Sequence, residues 1–546
     1  MISWTDQVDA LFAEWDKPES PGCALGIVQD GELIYARGYG MANLDYGIPI
    51  TPESVFEIAS TSKQFTAACI VLLAQRGALS LDDDVCRHVP ELPNYGHTIT
   101  IRHLMHHTSG LREHLKLRYF FGISEHDYHN QDAIDLIARQ KGLNFLPGSA
   151  FMYSNSGYVL MAEIVKRVSG QSLREFAQVN MFGPLGMQNT RFNDDWTQIV
   201  QNRVLSYAPR EGGGFCRLPK TFDDHGSSGL LTTVQDLYLW EQNFHAQVGG
   251  SDFVAQMLAP GRLNDGQPLG YASGLFLETY RGVKTVEHPG TDLGFRTQMM
   301  RFPAQRFTVI CLFNLSDTNP TTMCQRVADI FLDDQLSAQA PRADLDWTPS
   351  KGALGDQLGL YLDRGSGAYV ELRIEEGKLV AEILGMPVHV APVPVKAPAD
   401  QTHIRYGSAG RHGSVAFTLA REPAGGSWRL DLGYGGIPMP TMAKVDLVSL
   451  MASQLEAYAG DYSSEELQVT YRLVVVHGEL QTDHKIPLQG TLRPGPQDVF
   501  VLDGLSFFFE RDGAERVTGF KLMDVQARHI RFEKLANSQK SFQLEV

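Results

Sequence analysis

The stretch Ser54–Gly77, SVFEIASTSKQFTAACIVLLAQRG, carries the most informative local pattern in this chain of 546 residues. A short strand-like run precedes Ser60, and the apolar helical pattern that follows can end at Gly77. Ser60 and Lys63 are three positions apart, a spacing that places both side chains on one face of a helix. We therefore predict a serine hydroxyl at the beginning of a helix, within hydrogen-bond reach of a lysine amine.

This pair has the chemistry of an activated nucleophile. A serine hydroxyl is weakly nucleophilic by itself, but a lysine that has lost its proton can act as its base. The unpaired N–H groups and the positive dipole end of the helix stabilise an anion that develops on a carbonyl under attack. The same spacing also arises by chance, with the serine as a helix cap and the lysine in solvent, so the pair alone does not establish catalysis.

A second segment, 147–170 (PGSAFMYSNSGYVLMAEIVKRVSG), places Tyr153 and Asn155 on an irregular loop before an apolar helix. A tyrosine there can share a proton with Lys63 and act as base or acid, and Asn155 can hold a substrate amide. In isolation, a buried aromatic residue and a helix cap explain the same two residues. The segment therefore supports a catalytic role for Tyr153 and Asn155 only in combination with the first segment.

A third segment, 285–302 (TVEHPGTDLGFRTQMMRF), places His288 and Gly290 on a strand-like run that a turn follows. Glycine lets a substrate lie along the strand edge, and the spacing favours the amide of Thr291 as a second oxyanion donor. A single histidine is more often structural than functional, so this motif also depends on the others.

The domain organisation follows from a change of pattern along the chain. Residues 1–335 mix strand-like and helical runs, which predicts an α+β domain with an antiparallel sheet and helices. Residues 336–349 are rich in Ala, Pro and Asp and indicate a linker. Residues 350–448 and 449–546 contain short β-rich runs that turn signals separate, which predicts two all-β antiparallel barrels.

An internal echo supports the two barrels. Five positions recur 101 residues later, namely Gly359, Tyr361, Leu372, Gly377 and Leu379 as Gly460, Tyr462, Leu473, Gly478 and Leu480. Each set covers a tyrosine, a strand, a glycine turn and the next strand, as a duplicated meander does. The two barrels are therefore predicted to share one design.

Composition excludes several classes of partner. The formal net charge of -16 disfavours nucleic acids and anionic membrane surfaces and favours a neutral or cationic small substrate. The six cysteines have no CxxC spacing, which predicts free thiols rather than a zinc site or a disulfide framework. No metal is predicted at the clustered histidines His103, His106, His107 and His114.

The acidic first segment lacks the basic region of a secretory signal, and no apolar run is long enough to span a bilayer, which predicts a cytoplasmic protein.

The three motifs in this order, Ser60-x-x-Lys63, Tyr153-Ser-Asn155 and His288-x-Gly290, resemble the penicillin-recognising serine hydrolases. That superfamily includes class C β-lactamases, DD-peptidases, esterases and D-aminopeptidases. The resemblance covers about residues 10–335 and implies a β-lactamase/DD-peptidase-like catalytic domain.

The resemblance assigns a role to each residue. It implies that Ser60 is the nucleophile, Lys63 the proton acceptor and Tyr153 the general base and acid. The residues implied to bind substrate are Asn155, His288, Gly290 and Thr291, with the amides of Ser60 and Thr291 as the oxyanion hole. Many relatives carry Lys-Thr-Gly where this chain has His288 to Gly290, and a neutral histidine weakens the case for a carboxylate-bearing substrate.

The His-x-Gly variant followed by two barrels is most similar to the bacterial D-aminopeptidases. The resemblance implies a peptidase that releases N-terminal D-amino acids from short peptides or amides, without a cofactor, and a homodimer is a possible assembly. In that family a loop of the last barrel narrows the cleft; residues 481–490 correspond to it, and Asp483 is the candidate partner for a substrate ammonium. A carboxylesterase, a β-lactamase, an acyltransferase and a non-catalytic ligand sensor remain alternatives.

Overall fold

The structure is a computed structural model that describes residues 3–122, 128–246, 250–338, 346–349, 352, 354–383, 385–393, 403–408, 415–421, 426–434, 437–483 and 488–536. Up to residue 338 the helices are α1 (Trp4–Phe12), α2 (Lys63–Gln75), α3 (Ile101–Met105), α4 (His114–Phe121), α5 (Asn130–Ala138), α6 (Asn155–Ser169), α7 (Leu173–Ala177), α8 (Gly183–Leu185), α9 (Val234–Ala246), α10 (Ser251–Leu258) and α11 (Pro320–Leu332). The strands of the same part are β1 (Cys23–Gln29), β2 (Glu32–Tyr39), β3 (Met41–Asn43), β4 (Ile48–Pro49), β5 (Phe56–Glu57), β6 (Arg191–Phe192), β7 (Tyr207–Pro209), β8 (Phe215–Arg217), β9 (Leu230–Thr232), β10 (Phe276–Tyr280), β11 (Val283–Asp292), β12 (Phe295–Phe302) and β13 (Phe307–Phe313).

A six-stranded antiparallel sheet in the order β10-β11-β12-β13-β1-β2 organises this domain. Strands β13 and β1 are neighbours in the interior of this sheet, and almost all of their residues are buried, as expected for strands with helices on both faces. On one face α1 and α11 pack through residues such as Val8, Phe12 and Val327. The other face packs against the helical layer that contains α2, α6 and α9.

The remaining described chain is almost entirely β-structure. Its first group of strands comprises β14 (Gly359–Leu362), β15 (Tyr369–Glu375), β16 (Lys378–Ile383), β17 (Met386–His389), β18 (Ala391–Pro392), β19 (His403–Gly407), β20 (Val415–Arg421), β21 (Trp428–Tyr434), β22 (Ile437–Pro438) and β23 (Met442–Lys444). After α12 (Ala452–Leu455) come β24 (Gly460–Ser464), β25 (Val469–Val476), β26 (Glu479–Thr482), β27 (Gly490–Pro494), β28 (Val499–Leu502), β29 (Leu505–Arg511), β30 (Val517–Asp524) and β31 (Ala527–Lys534).

These strands form one nearly closed and one closed barrel. In the first group, the ends of the sheet are β17 and β18, which only Val390 separates along the chain, so the sheet curls back on itself. The second group closes completely in sequence order from β24 to β31. The predicted fold class, an α+β catalytic domain followed by all-β antiparallel barrels, is confirmed.

The internal echo has a structural counterpart. Equivalent strand pairs occur in the two barrels, Gly359 with Leu372 and Gly460 with Leu473. The echoed tyrosines Tyr361 and Tyr462 each donate a hydroxyl hydrogen bond to the carbonyl four residues earlier, at 2.6 and 2.7 Å. Both repeats therefore share a strand register and a buried tyrosine contact, which local sequence similarity alone does not require.

The second barrel packs directly on the helical layer of the first domain, and one continuous hydrophobic core includes residues of both. Tyr471 of β25 donates its hydroxyl to the carbonyl of Phe120 in α4 at 2.5 Å. Within the described ranges, no helix combines the length and the apolar character that crossing a membrane requires.

Candidate active site

Ser60 lies on a sharp turn between β5 and α2. The turn is a 3₁₀ segment, Ala59–Ser62, that continues directly into α2. Ala59 has a φ of +49°, a left-handed conformation that a residue with a Cβ seldom adopts and that costs about 1 kcal/mol or more. Ser60 itself is partly exposed, whereas its neighbours in the turn are buried. The strained turn thus presents one hydroxyl to solvent.

Buried threonines fix this turn to the central sheet. Thr61 Oγ1 donates to the carbonyl of His288 in β11 at 2.9 Å, and Thr297 Oγ1 of β12 donates to the carbonyl of Ile58 at 2.8 Å. The two threonine hydroxyls are 3.1 Å apart. Since these bonds flank Ser60 on both sides, they hold its backbone against the edge of β11.

Lys63 is completely buried and makes three polar contacts through its amine. Its Nζ lies 3.2 Å from Ser60 Oγ, 2.7 Å from Asn155 Oδ1 and 2.7 Å from the carbonyl oxygen of Ser227. The last two atoms only accept hydrogen bonds. A neutral amine that donates its two hydrogens to them directs its lone pair at the hydroxyl of Ser60.

Burial also prepares Lys63 for the neutral state. Desolvation lowers the pKa of Lys63 to about 7, because a charged amine without water is unfavourable. Three acidic residues act against this effect and raise the pKa, namely Asp224, Glu113 and Asp292. The balance leaves a substantial fraction of neutral amine at neutral pH.

Tyr153 lies beside both Ser60 and Lys63. Burial raises the pKa of Tyr153 above its ordinary value, although a hydrogen bond with Ser60 partly offsets this effect. Its ring lies 4.9 Å from Lys63 Nζ, a cation–π distance. The hydroxyl is therefore protonated at neutral pH and can donate a proton next to Ser60. The structure brings together the four predicted residues of the first and second motifs, Ser60, Lys63, Tyr153 and Asn155.

Glu113 is a site residue that the sequence analysis missed. Its buried carboxylate accepts a hydrogen bond from the backbone N–H of Asn155 at 2.5 Å and another from Asn155 Nδ2 at 3.1 Å. Because both donors are held, Asn155 Oδ1 must face Lys63. Glu113 lies two residues after the segment 104–111 (LMHHTSGL), but no local pattern connects it with Asn155, which is 42 positions away.

Glu113→Gln is expected to lower kcat/KM about tenfold, since one of the two Asn155 donors then faces an amide NH₂. Removing the carboxylate charge also lowers the pKa of Lys63, so the rise of activity with pH should move to lower pH. The pH profile of p-nitrophenyl acetate hydrolysis measures both effects, with Glu163→Gln as the control, since this carboxylate of α6 pairs with Lys166 and Arg167. A midpoint that stays in place or moves upward contradicts the role of Glu113.

The third motif forms the edge strand beside Ser60. β10 pairs with β11 only as far as Glu287. Residues 288–292 of β11 therefore pair with β12 on one side, and their other side, which β10 does not cover, faces the Ser60 turn. A Cβ on Gly290 would lie 2.2 Å from Thr297 Oγ1 and 2.3 Å from the carbonyl oxygen of Ile58. Only glycine permits this close approach. Thr291 is exposed at the end of the edge, and its amide remains the predicted second oxyanion donor.

His288 is buried behind this edge and is neutral. Its Nδ1 lies 2.8 Å from the carbonyl oxygen of Pro289, and its Nε2 lies 3.1 Å from the hydroxyl of Tyr271. A carbonyl oxygen only accepts, so Nδ1 carries the hydrogen and Nε2 accepts from the tyrosine. Burial and the charge of Lys63 lower the pKa of His288 to about 3. This histidine therefore supplies no positive charge to a bound substrate.

His107 packs against the ring of Tyr153. Its ring centroid lies 4.4 Å from that of Tyr153, and its Nδ1 accepts a hydrogen bond from the N–H of Ser154 at 3.1 Å. Burial and the charge of Lys63 hold the pKa of His107 well below its ordinary value. Over the described ranges, no group of three or more His, Cys, Asp or Glu residues is arranged to hold a metal ion.

Lys220, a second residue that the sequence analysis missed, connects the two strands of the site. Its buried Nζ donates to Glu57 Oε1 at 2.6 Å and to Asp292 Oδ2 at 2.8 Å. Glu57 lies three residues before Ser60, and Asp292 directly follows Thr291. The ion pairs therefore fix the separation between the two amides that are predicted to form the oxyanion hole.

Asp483 lies on the exposed surface of the second barrel. Its N–H donates to the carbonyl of Arg472 in β25 at 2.7 Å, and its charge acts on the Arg472 side chain. Among the described residues, its recorded contacts are thus within the barrel, and its role towards a substrate ammonium stays a prediction. Residues 484–487 of the predicted barrel loop lie outside the described residues.

Comparison with known proteins gives a consistent set of relatives. A family model described as Beta-lactamase matches residues 8–329. Penicillin-binding protein 4* of Bacillus subtilis is 32% identical over 323 residues, which are 55% of this chain and 69% of that protein. A D-aminopeptidase of Brucella anthropi is 26% identical over 540 residues, 95% of this chain and 96% of that protein. The octameric penicillin-binding protein homologue from Pyrococcus abyssi has a similar fold, with a TM-score of 0.56, 21% identity and coverage of 81% of this chain and 98% of that one.

Proposed function

Since this chain belongs to the beta-lactamase family and is a serine hydrolase of that superfamily, we propose that it is a D-aminopeptidase-like enzyme that releases N-terminal D-amino acids from short peptides or amides. The observation that carries the proposal is the contact of the buried Lys63 amine with Ser60 Oγ at 3.2 Å. The relative from Brucella anthropi that matches 95% of this chain is named a D-aminopeptidase, and this name supports the proposed substrate class.

Acylation uses the lysine as the base. Ser60 Oγ attacks the substrate carbonyl carbon, and its proton passes to the neutral amine of Lys63. The carbonyl oxygen becomes an anion, which the amides of Ser60 and Thr291 stabilise. Tyr153 then donates its hydroxyl proton to the leaving amine and regains a proton from the Lys63 ammonium. The C–N bond breaks, and an acyl group remains on Ser60.

Deacylation reverses the proton transfers. Water attacks the acyl carbonyl and gives a proton to the Tyr153 and Lys63 pair, and Ser60 Oγ leaves with a proton. Both steps need the amine neutral at their start, which the lowered pKa of Lys63 provides. No group besides the side chains and amides of this site takes part in this scheme.

The charges at the site favour a substrate that has no carboxylate next to the edge strand. His288 is neutral and has both ring nitrogens engaged, so it supplies no cation there. The neighbouring acidic groups Glu113, Asp224 and Asp292 instead favour a substrate with a free ammonium group. A carboxylesterase is the second candidate, because an uncharged ester also has no carboxylate that would need a cation at the position of His288.

A substrate panel tests the proposal. We expect D-alanine p-nitroanilide to be hydrolysed with a kcat/KM at least about tenfold above that of the L-enantiomer and of a chromogenic β-lactam. Blocking the amino group of the D-substrate by acetylation should remove most of this activity. Equal rates for both enantiomers together with fast hydrolysis of p-nitrophenyl butyrate would instead favour the esterase.

A further inference from the structure

One hairpin of the second barrel contacts the catalytic loops directly. The turn between β30 and β31 carries Gln526, whose side-chain Nε2 donates to the backbone carbonyl of Tyr153 at 2.8 Å. The backbone carbonyl of the same residue accepts from the N–H of Glu113 at 2.9 Å. Gln526 therefore holds the backbone of the proton donor and the backbone of the residue that orients Asn155.

The conformation of this turn is fixed from within the barrel. Asp524 is buried, and its Oδ1 accepts a hydrogen bond from the N–H of Gln526 at 2.8 Å. Its Oδ2 lies 3.1 Å from Lys116 Nζ in α4 of the catalytic domain. The first contact preorganises the turn within the barrel and the second ties it to the catalytic domain, and both increase the precision with which it can hold the catalytic loops.

Asn144 of the catalytic domain binds the hairpin from the other side. Its Nδ2 donates to the carbonyl of Gln526 at 2.8 Å, and its Oδ1 accepts from the N–H of Arg528 at 2.8 Å. Asn144 is buried, and its own N–H donates to the carbonyl of Gly110 in the loop that leads to Glu113. The hairpin and this loop are therefore connected through one side chain.

A buried ion pair anchors the barrel beside this contact. Arg112 Nη1 lies 2.5 Å from Glu466 Oε2 of the barrel, and Arg112 Nη2 donates to the carbonyl of His529 at 3.2 Å. Arg112 directly precedes Glu113, and both side chains of the pair are buried. The barrel is consequently fixed at the segment whose next residue holds the catalytic asparagine.

We propose that Gln526 is a positioning residue for the hydrolase reaction, acting through the backbone of Tyr153 and of Glu113. The second barrel thereby completes the active site from outside the catalytic domain. This inference rests on the proposed function, because it assigns the effect of Gln526 to proton donation by Tyr153. A contact that only joined the two domains could involve any of their facing residues, whereas the contacts of Gln526 are made to the backbone of Tyr153 and of Glu113.

The leaving group of the substrate separates a positioning role from a structural one. An anilide nitrogen must be protonated before it leaves, whereas p-nitrophenolate leaves without a proton. If Gln526 places the Tyr153 hydroxyl, its loss affects the anilide more than the ester. A general loss of folded protein lowers both activities by the same factor.

The test compares Gln526→Met with Gln454→Met in the full chain. Gln454 lies in α12, just before the same barrel; its side chain is exposed and accepts a hydrogen bond from the N–H of Met451 at 2.8 Å. We expect Gln526→Met to lower kcat for D-alanine p-nitroanilide about tenfold with KM within about twofold, and to lower kcat for p-nitrophenyl acetate less than about threefold. Gln526→Lys, which restores an N–H donor, should recover most of the anilide activity, and Gln454→Met should leave both activities unchanged.

The outcomes separate the two proposals. Equal losses on the anilide and the ester, or no loss on either, overturn the positioning role while the wild-type enzyme remains active. A wild-type protein that forms no acyl group on Ser60 with p-nitrophenyl acetate rejects the proposed function itself. Thermal unfolding of each variant shows whether a loss on both substrates comes from lost folded protein, which also overturns the inference.

Discussion

Ser60→Ala abolishes turnover in our account, with an expected loss of about 10⁴-fold or more in kcat for the best anilide substrate. The hydroxyl is the atom that forms the bond to the acyl carbon, and no other side chain of the turn can replace it. Thr61, its nearest hydroxyl neighbour, is buried and donates to the carbonyl of His288. The substitution removes one partly exposed oxygen, so the fold and the thermal unfolding temperature should change little.

Intact-mass measurement after addition of p-nitrophenyl acetate checks this expectation. The wild-type protein should gain one acetyl group, and Ser60→Ala should gain none at the same concentration. Ser80→Ala is the matched control, because Ser80 is exposed and its hydroxyl contacts only the N–H of Asp82 in the described chain. Turnover or acylation that persists in Ser60→Ala rules out this residue as the nucleophile.

Lys63→Arg is the second change with a large expected effect, about 10³-fold in kcat/KM. A guanidinium stays protonated at every accessible pH, so it cannot accept the proton of Ser60. In the proposed mechanism only the neutral amine of Lys63 is active, and its fraction grows as the pH rises through about 7. The kcat/KM of the wild type should therefore increase across this range and then level off.

The pH profile between about 5.5 and 8.5 measures this effect for the wild type and the variant. Lys63→Arg should have a low kcat/KM that no longer increases with pH. Lys166→Arg, on the exposed face of α6, should retain both the kcat/KM and the pH profile of the wild type. A wild-type profile that is flat or falls with pH contradicts the assignment of Lys63 as the base.

Local spacing in the sequence was sufficient to predict the contact between Ser60 and Lys63, although their proposed roles depended on the other two motifs. Ser60 and Lys63 belong to one turn of chain, so their contact follows from helical spacing alone. Tyr153 and His288 reach the same site through tertiary structure, and only the order of three motifs and the resemblance they carry brought them together before the fold was known. The barrels were predictable because alternating strands and the echo of Tyr361 in Tyr462 are periodic signals.

Other features of the site had no signal of this kind. Glu113 contacts Asn155 across 42 residues, and Gln526 contacts Tyr153 across 373. Neither residue type nor spacing identifies such partners, since glutamate and glutamine are usually exposed surface residues. The strained φ of Ala59 was equally hidden, because alanine is a helix former and nothing in its neighbourhood indicates a left-handed turn. Tertiary contacts override local preference at these positions.

The neutral state of His288 shows how the structure sharpened an expectation. The sequence suggested that a histidine in place of a lysine weakens the case for a carboxylate-bearing substrate. The contacts with Pro289 and Tyr271 give the reason, because they fix one tautomer and engage both ring nitrogens. The absence of a positive charge on His288 therefore arises from burial and hydrogen bonding, and any preference of the site against carboxylates should not depend on pH near neutrality.

In the proposed mechanism a neutral lysine amine makes one serine hydroxyl reactive, and the decisive measurement is the rate of acylation at a mapped residue. We predict that wild-type protein treated with p-nitrophenyl acetate carries a single acetyl group on the peptide containing Ser60. Acylation should be about tenfold faster at pH 8 than at pH 6, as a pKa of about 7 for Lys63 requires. An acetyl group mapped to another residue, or the same rate at both pH values, would contradict the account.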